Sequence, residues 1–577
     1  MDAFKQINLI TLIVTFWVIV FSAPVVSNEI NSNLAKKSAN ANRSFSETIG
    51  DEGPGCSIAA YHKGNIIFQG QYGHGHLGLM TPITKDSVFD LASNSKQFTA
   101  ASILILQHQG KLKIEDDIRK YLPEIPNYGK VITIRHLLNH TSGIRDYINL
   151  MTLSNHHIDD VTTQKDAMFF MKIQKALDFE PGEKYSYSNS GYLLAAEIVE
   201  RVSGVPLKEF AKQHIFDELE MQVTTYVNSH KKVIKNRVEA YALEDGMFVK
   251  DVSYWEQYGD GAVFSTTEDL IKWDSIFYSE DYRWLKEQLY KKGTLNNGEE
   301  IPYALGLAHE NYKGLEVILH GGSWGGYRSQ FVRNHEHHFS AVALCNYAHS
   351  NPTNLTYKLF DIFLADFLTP EEDSPSSDAT PSQEEESELT LELIELTSDL
   401  IEHYSGRYQF TDYPSYSLEV LVEEESGHNK LYLNIVDAKR VQVWPTQENA
   451  LVDKNNRRVL WFNPDGTISY DNVAWGLTFL VKKLNALSVP LPDLNALTGE
   501  YFSVELDKKL DIKLIDKQLI AFDKRDNQTV LFHIDLETLL ADQGLGLLKV
   551  LRDKSDDITG LSLDTNRAKG IVFEKMN

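Results

Sequence analysis

The sequence predicts an α+β fold over its first two thirds and two small antiparallel β units after it. Three observations carry this reading. A strand hairpin comes first, helices fill the middle, and strands return before a last helix, which is not the alternation of βαβ units. Residues 370 to 390 are rich in Pro, Ser, Asp and Glu, a composition that buries too little apolar surface to fold. Beyond them the pattern changes to short alternating strands.

In chain order, Ser57–His62 and Ile66–Gly70 read as strands joined by the turn Lys63-Gly64-Asn65, a hairpin. Gln97 to His108 is apolar nearly all round through Phe98, Ala101, Ile103, Leu104, Ile105 and Leu106, so this helix is expected to be buried. Gly110 is placed to end it. A second helix starts near Ser190 and ends by Gly204, and Ser265-Thr266-Thr267-Glu268 has the capping-box pattern that announces another. Strands are expected at Leu315–Leu319, Ser329–Arg333 and Phe339–Cys345, and a last helix from about Thr353 to Phe367. In the tail, Tyr404-Ser405-Gly406-Arg407-Tyr408 recurs in form as Leu497-Thr498-Gly499-Glu500-Tyr501. Two repeated units of many short strands suggest barrels or sandwiches.

At 577 residues the chain exceeds a single core. The formal net charge of −25 argues against a nucleic-acid partner, which needs a basic surface. Much of the excess is local, since no Lys or Arg occurs between Lys358 and Arg407. The apolar run Leu9 to Phe21, followed by small residues, has the form of a secretory signal peptide. An uncleaved anchor is the alternative, and membrane association depends on it. Cys56 and Cys345 are the two cysteines. An exported protein can pair them, and two buried free thiols are the other reading.

Three short motifs carry candidate chemistry. Ser93-Asn94-Ser95-Lys96 stands where a loop enters the buried helix. Residues three apart share a helix face, so the amine can reach the hydroxyl, and a serine needs a neighbour to take its proton. Ser229-His230-Lys231-Lys232 has the same spacing but opens no apolar helix. Tyr187-Ser188-Asn189 offers a phenol that, between cationic groups, is held as a phenolate or shares its proton with Lys96, and so acts as base. Asn189 is suited to orient a lysine or a substrate amide. His320-Gly321-Gly322-Ser323 follows a strand. Its Gly322 lets a substrate lie against an edge, the N–H of Ser323 suits an oxyanion hole, and His320 faces the cleft as a polar or partly cationic group.

In this order, these motifs resemble the serine β-lactamase and penicillin-binding protein superfamily, on its class C side with esterases and D-aminopeptidases. The phrases His136-Leu137-Leu138-Asn139-His140-Thr141-Ser142-Gly143-Ile144 and Gly259-Asp260-Gly261-Ala262-Val263-Phe264-Ser265-Thr266 add to the likeness. The resemblance implies an α/β sandwich with a five-stranded antiparallel sheet. It also implies an acyl-enzyme mechanism with no metal or cofactor. His136 and His140, four apart, and the loop-tip residues His335, His337 and His338 are accordingly not taken as metal ligands.

The resulting map has a signal peptide or anchor at 1–27, a serine hydrolase unit at 48–369 and an acidic linker at 370–393. Barrel-like units follow at 394–486 and 490–577. The acidic linker implies few contacts between the hydrolase unit and the tail. His320 stands where class C β-lactamases have a lysine, which favours peptidase or amidase action on small or D-configured peptides. Carboxylesterase or weak β-lactamase activity is the alternative, and a penicillin-binding sensor that does not turn over is the second. Oligomeric state is left open.

Overall fold

The computed structural model describes residues 23–576 except 245, 370–392, 426, 436–439, 448, 454–457, 473–476, 485–492, 526 and 542–544. Most of the expected acidic linker and most of the expected leader therefore lie outside the described residues. Helix α1 (Ala23–Ile49) overlaps the end of that leader and covers a stretch too polar to read as a helix from sequence. It folds because Leu34, Ala41, Phe45 and Ile49 recur at helical spacing and pack on the sheet. Lys37 Nζ donates to Phe363 O at 3.1 Å and fixes its position.

The sheet is antiparallel, with strands β1 (Cys56–His62), β2 (Asn65–Tyr72), β3 (Ala308–Tyr312), β4 (Leu315–Trp324), β5 (Tyr327–Asn334) and β6 (Phe339–Cys345). Their spatial order is β3-β4-β5-β6-β1-β2, so six strands stand where five were expected. The β1–β2 turn has Lys63 and Gly64 at φ 49° and 75°, as a two-residue hairpin requires. Cys56 and Cys345 face each other across β1 and β6 and are disulfide-bonded, which resolves the choice between bridge and free thiols.

β4 runs through the His320-Gly321-Gly322-Ser323 motif instead of ending before it. β3 pairs with the Leu315–Leu319 half of β4, and among the described strands none pairs with the outer edge of the motif half. One face of the sheet is covered by α1 and a helix at Pro352–Phe363. Against the other lies the main core, built on α2 (Lys96–His108), α3 (Tyr147–Leu153) and α4 (Asn189–Ser203). α2 is buried on nearly every side and ends where expected, with Gly110 at φ 71°. The helix Thr267–Ser275 is capped by Thr266, whose side chain accepts from Asp269 N at 3.1 Å. The cap is thus displaced by one residue from Ser265, which is held in a strand, and in place of the expected box the Asp269 carboxylate accepts from Val223 N and Thr224 N.

The tail forms two closed eight-stranded antiparallel barrels, Gly406–Phe410 to Leu477–Lys483 and Gly499–Ser503 to Ile571–Lys575. The repeat has a structural cause. Tyr408 Oη donates to Tyr404 O at 2.6 Å, and Tyr501 Oη to Leu497 O at 2.9 Å. Lys483 and Lys575 bond the equivalent carbonyls of His403 and Ala496, each at 2.6 Å.

The second barrel packs into the main core, contrary to the expectation of few contacts with the tail. Arg145 and Glu505, 1% and 4% exposed, pair at 2.5 Å. Gln174 Nε2 also donates to Glu505 O at 2.9 Å, and Ser154 Oγ to Leu506 O at 2.8 Å. Linker composition says nothing of these pairings, because they join residues far apart in sequence.

Candidate active site

Ser93 sits in a 3₁₀ turn, Ala92–Ser95, that runs directly into α2. Ala92 has φ 48°, an unfavourable conformation for a residue with a Cβ. The turn is held from three sides. Ala92 N donates to Asp90 Oδ1 at 2.8 Å, Asn94 Nδ2 to Ser329 Oγ at 2.8 Å, and Ser329 Oγ to Leu91 O at 2.7 Å. A Cβ on Gly322 would meet Leu91 O at 2.2 Å, so only glycine lets β4 approach the serine turn this closely.

Lys96, on the first turn of α2, is fully buried. Its Nζ lies 3.1 Å from Ser93 Oγ, 2.9 Å from Asn189 Oδ1 and 2.7 Å from Asp260 O. Burial lowers its pKa to about 8, against the opposing pull of Asp260 and Asp146. Near neutrality a fraction is uncharged. That amine donates two N–H groups to Asn189 and Asp260 and turns its lone pair to the serine hydroxyl. Asn189 is free for this because Asp146 Oδ2 accepts its backbone N–H at 2.6 Å. The first N–H of α4 is thereby satisfied by a remote carboxylate.

Tyr187 precedes α4, and its ring centroid is 5.0 Å from Lys96 Nζ and 5.2 Å from Arg567 Cζ. Two cations do flank it, but of the two readings the phenolate is not favoured. Desolvation pushes its pKa up, outweighing a hydrogen bond to Ser93 and the charge of Arg567. Tyr187 is a neutral phenol, able to donate a proton.

For His320 the structure decides between two readings. It is 6% exposed, with Nε2 at 2.8 Å from Tyr303 Oη and Nδ1 at 2.5 Å from Gly321 O. A carbonyl only accepts, so Nδ1 carries the proton and Nε2 accepts from Tyr303. Burial, then the nearby Lys96, lowers its pKa to about 3. Of the two readings, polar or partly cationic, the fold selects the first, a neutral imidazole.

These residues share a cleft of about 690 Å³, with Ser93, Tyr187, Asn189, His320, Gly322 and Ser323 in its lining. Trp255 and Trp324 form an aromatic wall, their rings 5.7 Å apart. Ser229 also lines it, but Lys232 Nζ bonds Thr225 Oγ1 at 3.2 Å. His136 caps a short helix with Thr133. His140 accepts from Ser188 N at 3.1 Å and packs 4.2 Å from the Tyr187 ring, which positions that tyrosine. His335 and His338 pack on Tyr278. The motif reading missed Asp146, Tyr303 and Arg567. Only the last brings a charge from the tail, and no local pattern marks it.

A serine at a buried helix entrance with a lysine against its hydroxyl, under an antiparallel sheet, defines a serine-hydrolase type of fold and site. The beta-lactamase family model matches residues 43–362, and the chain belongs to that family. Penicillin-binding protein 4* of Bacillus subtilis is 33% identical over 326 residues, 52% of this chain and 70% of that protein. A D-aminopeptidase of Brucella anthropi is 26% identical over 337 residues, 57% of this chain and 64% of that protein. The match therefore spans under two thirds of the D-aminopeptidase. Among solved structures, the octameric penicillin-binding protein homologue from Pyrococcus abyssi has a TM-score of 0.51 at 21% identity. That likeness covers 79% of this chain and all of the other, and shows the fold.

Proposed function

We propose that the protein is an exported serine hydrolase that works through an acyl-enzyme as a peptidase or amidase on small or D-configured peptides. The observation that carries it is the Lys96 amine, pinned by Asn189 Oδ1 and Asp260 O and 3.1 Å from Ser93 Oγ. The neutral amine takes the Ser93 proton as Oγ bonds to the substrate carbonyl carbon. The N–H groups of Ser93 and Ser323 hold the oxyanion. Tyr187 then gives its proton to the leaving nitrogen as the C–N bond breaks, and the Lys96 ammonium restores it. Water attacks the resulting ester, its proton passing by the same groups to Ser93, which leaves with the acid released. The D-aminopeptidase relative supports the substrate class. The Cys56–Cys345 bridge supports export, because disulfides persist in oxidising compartments. Among the described residues no helix is long and apolar enough to cross a membrane.

The test is a screen of the purified protein against a D-aminoacyl anilide, a simple ester and a chromogenic cephalosporin. Multiple turnovers on the anilide, lost in Ser93→Ala, are expected. One covalent adduct per chain without turnover would replace the hydrolase with a receptor.

A further inference from the structure

Arg567 enters the cleft from the second barrel, on the turn between strands Ile558–Asp564 and Ile571–Lys575. That turn is rigid. Thr565 N donates to Ala568 O at 2.8 Å, and Ala568 N to Thr565 Oγ1 at 3.0 Å. It is also fastened to the hydrolase unit. Asp146 N donates to Arg567 O at 3.0 Å, Lys569 N to Asp178 Oδ1 at 2.7 Å, and Arg145 to Lys569 O at 2.6 Å. The first of these bonds ends on the residue whose carboxylate holds Asn189.

With its backbone so fixed, the Arg567 side chain is free at its head. Among the described residues its guanidinium has no hydrogen bond or ion pair, and its contact is with the Tyr187 ring at 5.2 Å. The other two arginines of the cleft wall are engaged. Arg237 Nε donates to Tyr327 Oη at 3.4 Å, and its head lies 4.8 Å over the Phe264 ring. Arg328 donates to Gly325 O at 2.6 Å and to Tyr327 O at 2.7 Å. A guanidinium offers five donors in a planar fork that matches a carboxylate. Partly removed from water with none of them used, it leaves that capacity for a ligand.

Its position says which part of a ligand. Tyr187 is the group that protonates the leaving nitrogen, so a cation over its ring lies on the leaving-group side of the scissile bond. The strand motif contributes no charge there, since His320 is neutral. We propose that Arg567 is a substrate-recognition residue that binds a carboxylate on the leaving group, so that preferred substrates are short peptides with a free carboxylate directly after the scissile amide. The cation that selects the substrate then comes from the second barrel, not from the strand motif. This rests on the Ser93 and Tyr187 assignment above.

The test separates recognition from turnover. In full-length Ser93→Ala protein, N-acetyl-D-phenylalanyl-D-alanine and its C-terminal amide are titrated while tryptophan fluorescence is followed, Trp255 and Trp324 lining the cleft. The carboxylate form is expected to bind at least tenfold tighter than the amide. Adding Arg567→Lys should keep part of that ratio, Arg567→Ala should erase it, and Arg567→Glu should reverse it. A ratio unchanged across the four proteins, or no binding of either ligand, overturns the proposal. An equal loss for both ligands would make Arg567 a structural prop of Tyr187 and overturns it too. Turnover by the protein with Ser93 intact is read separately. Its absence alongside an Arg567-dependent ratio would remove the acyl-enzyme reading and leave carboxylate recognition standing.

Discussion

Tyr303 donates its hydroxyl proton to His320 Nε2 at 2.8 Å, and burial keeps this imidazole neutral. The folded pKa of about 3 lies below the usual value for histidine, which is near ~6.5 in the unfolded chain. Between those values the unfolded chain binds more protons, so stability falls as pH drops from ~6.5 toward the folded value. His320→Gln, which still offers Tyr303 an acceptor, lacks that loss. The wild type should lose on the order of 2 kcal/mol more than the variant between about pH 6.5 and pH 4.5. Urea melts at several pH values measure it, and parallel curves would mean that His320 is already charged in the fold. Nor should carboxylate affinity grow through His320 on mild acidification.

As the proposed base, Lys96 should set the pH dependence of catalysis. With its pKa lowered to about 8, the base form grows as pH rises through that value. The kcat/KM on an amide should climb tenfold per pH unit below about 8 and level off above it. Lys96→Arg should lose at least about a thousandfold, because a guanidinium does not give up its proton. A profile flat from pH 6 to 9 would take the base role from Lys96.

Ser93→Ala should abolish labelling by a fluorophosphonate. Ser229 lines the same cleft and is the internal control, since its motif lysine is turned to Thr225. Mass spectrometry of the labelled peptide distinguishes the two, and an adduct on Ser229 would move the nucleophile.

Glu505 neutralises a buried cation across the junction with the second barrel. Glu505→Ala would leave Arg145 with Asp178 at 3.4 Å as its remaining ion pair. Breaking a buried pair of this kind costs about 3 kcal/mol. A chain ending at residue 389 loses the same partner and part of a shared apolar core, so it should melt well below the full-length protein. Equal melting temperatures would show that the hydrolase unit needs nothing from the tail.

The sequence by itself determined the elements whose cause is local. α2 was legible because apolar residues nearly all round from Phe98 to Leu106, with Gly110 beyond them, mark a buried helix, and Ser93 and Lys96 because three-residue spacing at a helix start fixes their proximity. The barrel repeat was legible because Tyr408 and Tyr501 reach back the same four residues. α1 escaped because its few apolar positions matter only once a sheet face receives them. Tertiary structure alone decided the charge states. The neutrality of Tyr187 and His320 and the weakened base at Lys96 come from desolvation by residues distant in sequence, as does the docking of the second barrel that puts Arg567 over Tyr187. Burial and long-range pairing depend on how the whole chain closes on itself, which no local spacing encodes.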